Sequence, residues 1–265
     1  MSKRSKLKYA SYAFTVFLFC NTLTLGQSKD IPQSIFPHGL GITFGIAKAS
    51  LKDEYISNEK YSGQGTGFSV NWLKFHETYM YDLGMDVFSG SNIKNNSISA
   101  QVNDFAFRSA YLYPLGKIQT LGNDMYFFAG PNPEIYLHRF EQQLTKGGSA
   151  QYEVNSQAFL LSLGVKGLAF IPVSQKLFIK GELSSAIISL GSKTHNTSTN
   201  TSSSATKILT LFNGLRLSTR YSLEYNVLSM LTVGCGYKFD LTRISEWNPL
   251  TFASDEVFIK IAIAL

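Results

Sequence analysis

The chain has 265 residues, with 24 Lys and Arg against 18 Asp and Glu, and only two cysteines. Four of the basic residues, Lys3, Arg4, Lys6 and Lys8, lie within residues 1–26, which hold no acidic residue; the rest of the chain carries 20 basic against 18 acidic residues, too even a balance for a nucleic-acid footprint. After Cys20 the only cysteine is Cys235, which excludes an intramolecular disulfide in a processed chain and any metal site built on a cysteine cluster.

Residues 1–26 combine that basic start with an apolar stretch from Tyr9 to Leu25 and small Gly26 before Gln27, the pattern of a cleaved secretory signal peptide. An uncleaved anchor is the weaker reading, because the stretch is short against the roughly 20 residues of a membrane helix. Lipidation at Cys20 is weaker still, since bulky Phe19 precedes it. Residues 27–38, with Pro32 and Pro37, read as a short periplasmic lead that resists strand formation.

From residue 39 to 265 no window is apolar enough for a transmembrane helix, yet 14% of the chain is aromatic, with fourteen Tyr to two Trp. About ten strand candidates follow, near 40–49, 65–75, 78–89, 102–114, 124–140, 155–171, 176–190, 207–220, 226–240 and 254–265. Their alternation puts apolar residues on one face and small or polar ones on the other. Leu40, Ile42 and Phe44 oppose Gly41, Thr43 and Gly45; Phe68, Val70 and Trp72 oppose Gly67, Ser69 and Asn71. Phe105, Phe107, Tyr111 and Tyr113 oppose Asp104, Ala106, Arg108 and Ala110, and Leu209, Leu211, Leu215 and Leu217 oppose Thr210, Gly214, Arg216 and Ser218. Tyr79, Tyr81, Tyr111 and Tyr113 suit an interfacial girdle. Pro131 and Pro133 remove two ladder donors and predict a bulge in the fifth strand. The last strand is the most regular: Val257, Ile259, Ile261, Ile263 and Leu265 share one face, Phe258, Lys260, Ala262 and Ala264 the other.

Connections near 76–77, 115–123, 172–175 and 221–225 are the shorter set, and those near 50–64, 90–101, 141–154, 191–206 and 241–253 the longer. Counting from a periplasmic start, every long connection falls outside the cell. The polar tract Thr194–Ala205 reads as a mobile external loop. These features predict an all-β fold: a transmembrane up-and-down antiparallel β-barrel of about ten strands (eight to twelve), spanning residues 39–265, in the outer membrane of a Gram-negative bacterium. A soluble lipocalin-like barrel would alternate too, but with the facing reversed.

The same alternation sends Asp82, Asp86, Asp104, Arg108, Glu134, His138, Lys166, Lys180, Glu182, Arg216, Lys238 and Lys260 into the lumen. Mixed signs in a narrow barrel point to a network of paired charges filling the interior rather than to a conduit or a catalytic centre. His138 is the one histidine placed for chemistry, and Glu134, four residues earlier on its face, is about 13 Å away along the strand, too far for a pair. His38 and His76 read as solvated, and His195 as part of the mobile loop. Ten-stranded omptin-type proteases show that catalysis is compatible with such a barrel, but their Asp-x-His pattern is absent here. Gly63–Gly67 reads as a flexible tip rather than a phosphate cradle. No cofactor and no metal site is expected, and the reading weighs against an enzyme.

With the N-terminal pattern, the strands and the terminal alternation in hand, the chain resembles the outer-membrane β-barrel proteins of Bacteroidota-type bacteria, and is similar in size and composition to their PorT-like barrels. It departs from the common proteobacterial pattern, which favours a terminal aromatic where this chain has Leu265. The resemblance implies membrane location and assembly by the outer-membrane insertion machinery; contact with outer-membrane lipid and lipopolysaccharide and a monomeric state are expected with it, and the charge balance predicts no nucleic-acid partner. The expected role is structural, accessory or surface-interacting, with a small-solute pore as the alternative and a hydrolase using His138 as the third.

Overall fold

The computed structural model describes residues 38–54, 59–76, 78–95, 98–120, 123–146, 150–197, 201–203 and 206–265. The expected signal peptide, and all of the lead except His38, lie outside them. The strands are β1 (Gly39–Asp53), β2 (Tyr61–Phe75), β3 (Met80–Asn95), β4 (Ile98–Thr120), β5 (Asn123–Lys146), β6 (Ala150–Pro172), β7 (Leu177–Thr197), β8 (Thr201–Ser203), β9 (Lys207–Thr210), β10 (Gly214–Leu228), β11 (Leu231–Ile244) and β12 (Leu250–Ile263). Each long strand pairs antiparallel with its sequence neighbours, and β12 returns to β1, from Leu40 opposite Ile263 to Asp53 opposite Leu250. The sheet is therefore a closed barrel of ten long strands. Short β8 and β9 pair with the far half of β7, while β10 pairs with its near half from Leu217 opposite Ser185 to Tyr225 opposite Leu177.

The outer face carries an apolar belt with a sharp upper edge. Ile46 lies opposite Val257, but two residues on Lys48 lies opposite Asp255. Phe105 faces Leu137 and Asn103 faces Arg139; Leu137 faces Phe159 and Arg139 faces Gln157. Adjacent strands thus change from apolar to polar at one level, the pattern of a barrel wall with an apolar band. At the end carrying β1's start and β12's finish, Tyr79 packs against Tyr111 at 5.9 Å and Tyr81 against Tyr111 at 5.0 Å between ring centroids, forming the aromatic cluster expected there.

The main departures from the predicted elements concern length. The long connections are mostly continued ladder: β5 and β6 stay paired to Lys146 opposite Ala150, and β6 and β7 to Val154 opposite Thr197. Polar residues there alternate with the wall instead of leaving it, so His195 sits buried on β7 rather than in a mobile loop. The turn expected at 221–225 is strand: Tyr221, Leu223 and Tyr225 face out, Ser222 and Glu224 face in, and the turn falls at 229–230. Consequently 207–220 is not one strand but β9, a turn at 211–213 and the start of β10, and Leu209 points inward with no exposed surface. Pro114-Leu-Gly116 is not a turn either. β4 shifts register there, with Gly116 at φ 140° supplying the conformation a side chain would resist, and continues to Thr120.

Pro131 and Pro133 leave β5 intact against β6, where they face Val165 and Leu163. The irregularity falls on the other side: the β4 ladder jumps from Arg108 opposite Glu134 to Tyr113 opposite Ala129. Gly130 is obligatory in this gap, because a Cβ there would lie 1.8 Å from the Tyr111 carbonyl oxygen.

Candidate functional site: the ionic interior

Inside the wall the side chains form layers. At the upper end, level with and beyond the belt's edge, an apolar cluster including Leu51, Tyr61, Ile93, Phe140, Leu209 and Phe252 is fully buried. A second cluster around Met80, Leu112, Phe128, Phe170 and Phe178 occupies part of the opposite end. Charged groups fill the space between them.

Several of these groups pair across the lumen, between strands that are not neighbours in the sheet. Lys166 on β6 reaches Asp82 on β3 at 2.5 Å, and also Glu182 on adjacent β7 at 2.7 Å. Arg216 on β10 reaches Glu134 on β5: Nε donates to Oε1 at 2.9 Å and Nη2 lies 2.9 Å from the same oxygen, while Nη1 donates to Thr242 at 3.0 Å. The same guanidinium lies 3.8 Å from the centre of the Tyr136 ring. Arg220 on β10 donates to Asp86 on β3 at 2.8 Å and to Ser69 on β2 at 3.1 Å. Asp86 also pairs with Arg108 on β4, and Lys238 on β11 lies 3.5 Å from it. Near the upper end Lys193 on β7 reaches Asp53 on β1 at 2.8 Å, and Gln142 on β5 donates to Tyr61 on β2 at 3.1 Å. Such struts hold opposite walls at fixed separation.

The predicted charges therefore come together in four groups, with Lys260 paired to a residue outside the predicted set. Asp82, Lys166, Lys180 and Glu182 are joined, with Lys180 reaching Glu182 on its own strand at 2.6 Å. Asp86, Arg108 and Lys238 are joined, as are Glu134 and Arg216. Lys260 pairs with Glu224, its Nζ lying 2.7 and 2.8 Å from the two carboxylate oxygens. His138 pairs not with Glu134 but with Asp104, Nδ1 to Oδ1 at 2.6 Å, and Tyr136 donates to the other Asp104 oxygen at 2.9 Å. Asp104 and His138 face each other across the β4–β5 ladder, a relation that strand spacing alone cannot reveal.

Sequence reasoning missed Arg220, Glu224, Asp240, Glu256, Lys193 and Asp53. Arg220 and Glu256 were recoverable from parity, Arg220 two residues after Ser218 and Glu256 two before Phe258 on the same faces. Glu224, Lys193 and Asp53 lay in stretches read as connections. Glu256 is accommodated by missing side chains: a Cβ on paired Gly45 or Gly67 would lie 2.3 Å from its carboxyl group.

The Asp104–His138 pair has the form of a base with its orienting carboxylate. Its placement denies it a substrate: the His138 side chain has no exposed surface, Nε2 has no hydrogen-bond partner among the described residues, and the ring lies 5.3 Å from that of Phe252 in the apolar cap. Between Asp82, Asp86, Arg108, Lys166, Glu182 and Arg220 the remaining void is about 10 Å³, no more than one water requires. Among the described residues no group of three or more His, Cys, Asp or Glu is arranged to hold a metal.

No protein-family model matches the chain, and no curated protein matches it. Solved structures do. The outer-membrane protease OmpT of Escherichia coli superposes with a TM-score of 0.54 at 7% identity, over 90% of this chain and all of that one. The Neisserial surface protein A matches with a TM-score of 0.37 at 11% identity, over 87% of this chain and 99% of that one. Ail, the attachment invasion locus protein of Yersinia pestis, matches with a TM-score of 0.33 at 10% identity, over 87% of this chain and all of that one. The OmpT likeness shows the fold: an antiparallel closed barrel of the outer-membrane type.

Proposed function

We propose that this chain is a bacterial outer-membrane β-barrel protein with a side-chain-filled lumen, serving a structural, accessory or surface-interaction role. One observation carries the reading: cation–carboxylate struts cross the lumen beneath an apolar cap, and the void among Asp82, Asp86, Arg108, Lys166, Glu182 and Arg220 is about 10 Å³. A solute pore needs a continuous aqueous passage, and barrels of about this strand number are ordinarily filled rather than open. A hydrolase needs its base within reach of a substrate, and His138 lies under the cap. The surface left for interaction is the ladder rising beyond the apolar belt, where Lys48, Gln101, Arg139 and Gln157 face outward and are exposed.

In this reading residues 1–26 export the chain and are removed, residues 27–38 lie in the periplasm, the outer-membrane insertion machinery assembles the barrel, and the monomer contacts lipid and lipopolysaccharide through its belt. The Bacteroidota-type and PorT-like affinity rests on the sequence pattern alone. Planar-bilayer recording tests the lumen: the folded protein gives no unitary current steps, and reproducible steps would establish the pore instead. Thiol labelling tests the orientation. In a Cys235→Ser background, Lys94→Cys reacts with an impermeant maleimide on intact cells, and Lys117→Cys reacts only after permeabilisation.

A further inference from the structure

Above the upper edge of the apolar belt, the exposed cations of the outer face divide by sector. Away from the β1–β12 seam they are neutralised: Arg139 on β5 pairs with Glu141, and Lys207 on β9 pairs with Glu246 at 2.8 Å. Around the seam, Arg243 on β11, Lys48 on β1, Lys94 on β3 and Lys60, immediately before β2, are exposed and form no ion pair among the described residues. Register gathers them. Arg243 and Lys52 flank Thr251 in one row across β11, β12 and β1. Ser50, Ser62 and Lys94 form the neighbouring row across β1, β2 and β3, and Lys48 lies two residues from Ser50 toward the belt. Three carboxylates share the sector, each already engaged: Glu54 with Lys52 at 2.9 Å, Glu59 with the Asn95 amide, and Asp255, opposite Lys48, with the Tyr237 hydroxyl. Even if all three are set against the five cations, the sector keeps a positive excess.

Directly below these cations the wall is at its most accessible. Ile46 and Val257, opposite one another, are 66% and 67% exposed, more than any other apolar residue of the ten long strands, and Phe44 and Ile259 continue the surface downward. Cations set at the edge of an apolar wall match an anionic amphiphile, with acyl chains along the wall and the headgroup at the cations. Phosphate suits these groups, because its oxygens accept from a guanidinium fork and from ammonium alike. The hydroxyls of Thr251, Ser50 and Ser62 stand between the cations and suit the hydroxyls of a sugar. Arg243 and Lys94 are four strand intervals apart, about 19 Å along the sheet, a span that fits a headgroup with more than one phosphate.

We propose that the outward face of β11, β12, β1, β2 and β3, just above the belt, docks a phosphorylated glycolipid, with Arg243, Lys52, Lys48 and Lys94 on its phosphates and Ile46 and Val257 against its acyl chains. The proposal rests on the outer-membrane reading, which supplies the outer leaflet from which such a lipid comes. Native mass spectrometry of the protein folded in zwitterionic detergent micelles, titrated with bisphosphorylated lipid A, tests it. The lipid forms a saturable adduct, and Arg243→Gln/Lys94→Gln weakens it tenfold or more. Lys117→Gln/Lys176→Gln removes the same charge from exposed positions at the opposite end and leaves binding unchanged. Dephosphorylated lipid A and phosphatidylglycerol each bind at least tenfold more weakly, and an excess of inorganic phosphate does not displace the adduct. Neither Arg243 nor Lys94 forms an ion pair in the fold, so the double variant keeps the heat-modifiable gel shift of a closed barrel. Absence of an adduct, equal weakening by the two double variants, equal binding of either comparison lipid, or displacement by phosphate overturns the proposal. The measurement does not depend on which way the barrel faces in a membrane, which the Lys94→Cys labelling tests by itself.

Discussion

Arg216→Met is the sharpest test of the struts. The Arg216 side chain and its partner Glu134 are each only 5% exposed, and Glu134 has no other ion-pair partner among the described residues. Removing the cation strands a buried carboxylate, which costs about 3–5 kcal/mol. Loss of the guanidinium stacked 3.8 Å from Tyr136 moves the effect toward the upper end of that range, since desolvated cation–aromatic contacts are worth about 2 kcal/mol. Glu134→Gln is milder, about 1–3 kcal/mol, because an amide oxygen still accepts from Arg216 and the hydrogen bond to Thr242 persists. The double variant Arg216→Met/Glu134→Met replaces both charges with apolar groups and recovers to within about 2 kcal/mol of the parent. Urea titration of the protein in lipid vesicles, followed by tryptophan emission, measures all four stabilities. A double variant as unstable as Arg216→Met alone would show that the pair is not an energetic unit and that the strut argument fails.

Ile259 is 62% exposed on the outer face between Phe44 and Cys235, well below the charged edge at Asp255, so Ile259→Arg destabilises the barrel by about 2–4 kcal/mol in the same vesicle assay. A neutral effect would place that face away from lipid. Gly130→Ala forces the Tyr111 carbonyl to move and costs about 1–3 kcal/mol; a stability equal to the parent's contradicts the close approach. Glu246, in the loop after β11, accepts from Lys207 at 2.8 Å and from Asn213 at 3.2 Å, and these bonds hold its carboxyl below the ordinary glutamate range. A carboxyl depressed in the fold stabilises above its unfolded pKa and loses that contribution as pH falls through the lower folded value. Lys207 also lies 5.9 Å from the Trp247 ring, so in a Trp72→Phe protein the Trp247 emission changes with a midpoint below the usual glutamate range, and Glu246→Gln abolishes the transition. A midpoint within that range would contradict the clasp.

Alternation made the wall legible. Phe44 and Thr43, or Ile259 and Lys260, separate by parity because the outer face is apolar there and the interior is polar. It failed where polarity ceased to mean exposure. Ser222 and Glu224 are polar because they face the lumen, and a reader who equates polar runs with turns breaks β10 at that point. Above the belt the outer face becomes polar as well, so β6 and β7 lose their contrast just where they continue, and His195 and Lys193 read as loop. Partners on other strands lay beyond sequence reasoning altogether. Glu134 meets Arg216 across the lumen through the curvature of a closed sheet, Asp104 meets His138 through the register of adjacent β4 and β5, and neither leaves a trace in local spacing.

The closing seam has a consequence for how the barrel is made. Along the wall, pairings join strands that follow one another in the chain, with the short β8 and β9 interposed between β7 and β10; the exception is β1 with β12, which brings Leu40 against Ile263. The wall can therefore grow hairpin by hairpin, each step closing only a short loop. Until the final step, β1 and the newest strand both expose unpaired backbone, the kind of edge that recruits other chains. Nascent chains lacking β12 retain two such edges however well the rest has formed. The same strand supplies Lys260 for Glu224 and Glu256 for the space over Gly45 and Gly67, so arrival of the last strand seals both edges and gives Glu224 its cation in one event. A chain stalled before β12 carries two open edges and, in Glu224, an inward carboxylate without the lysine that pairs with it.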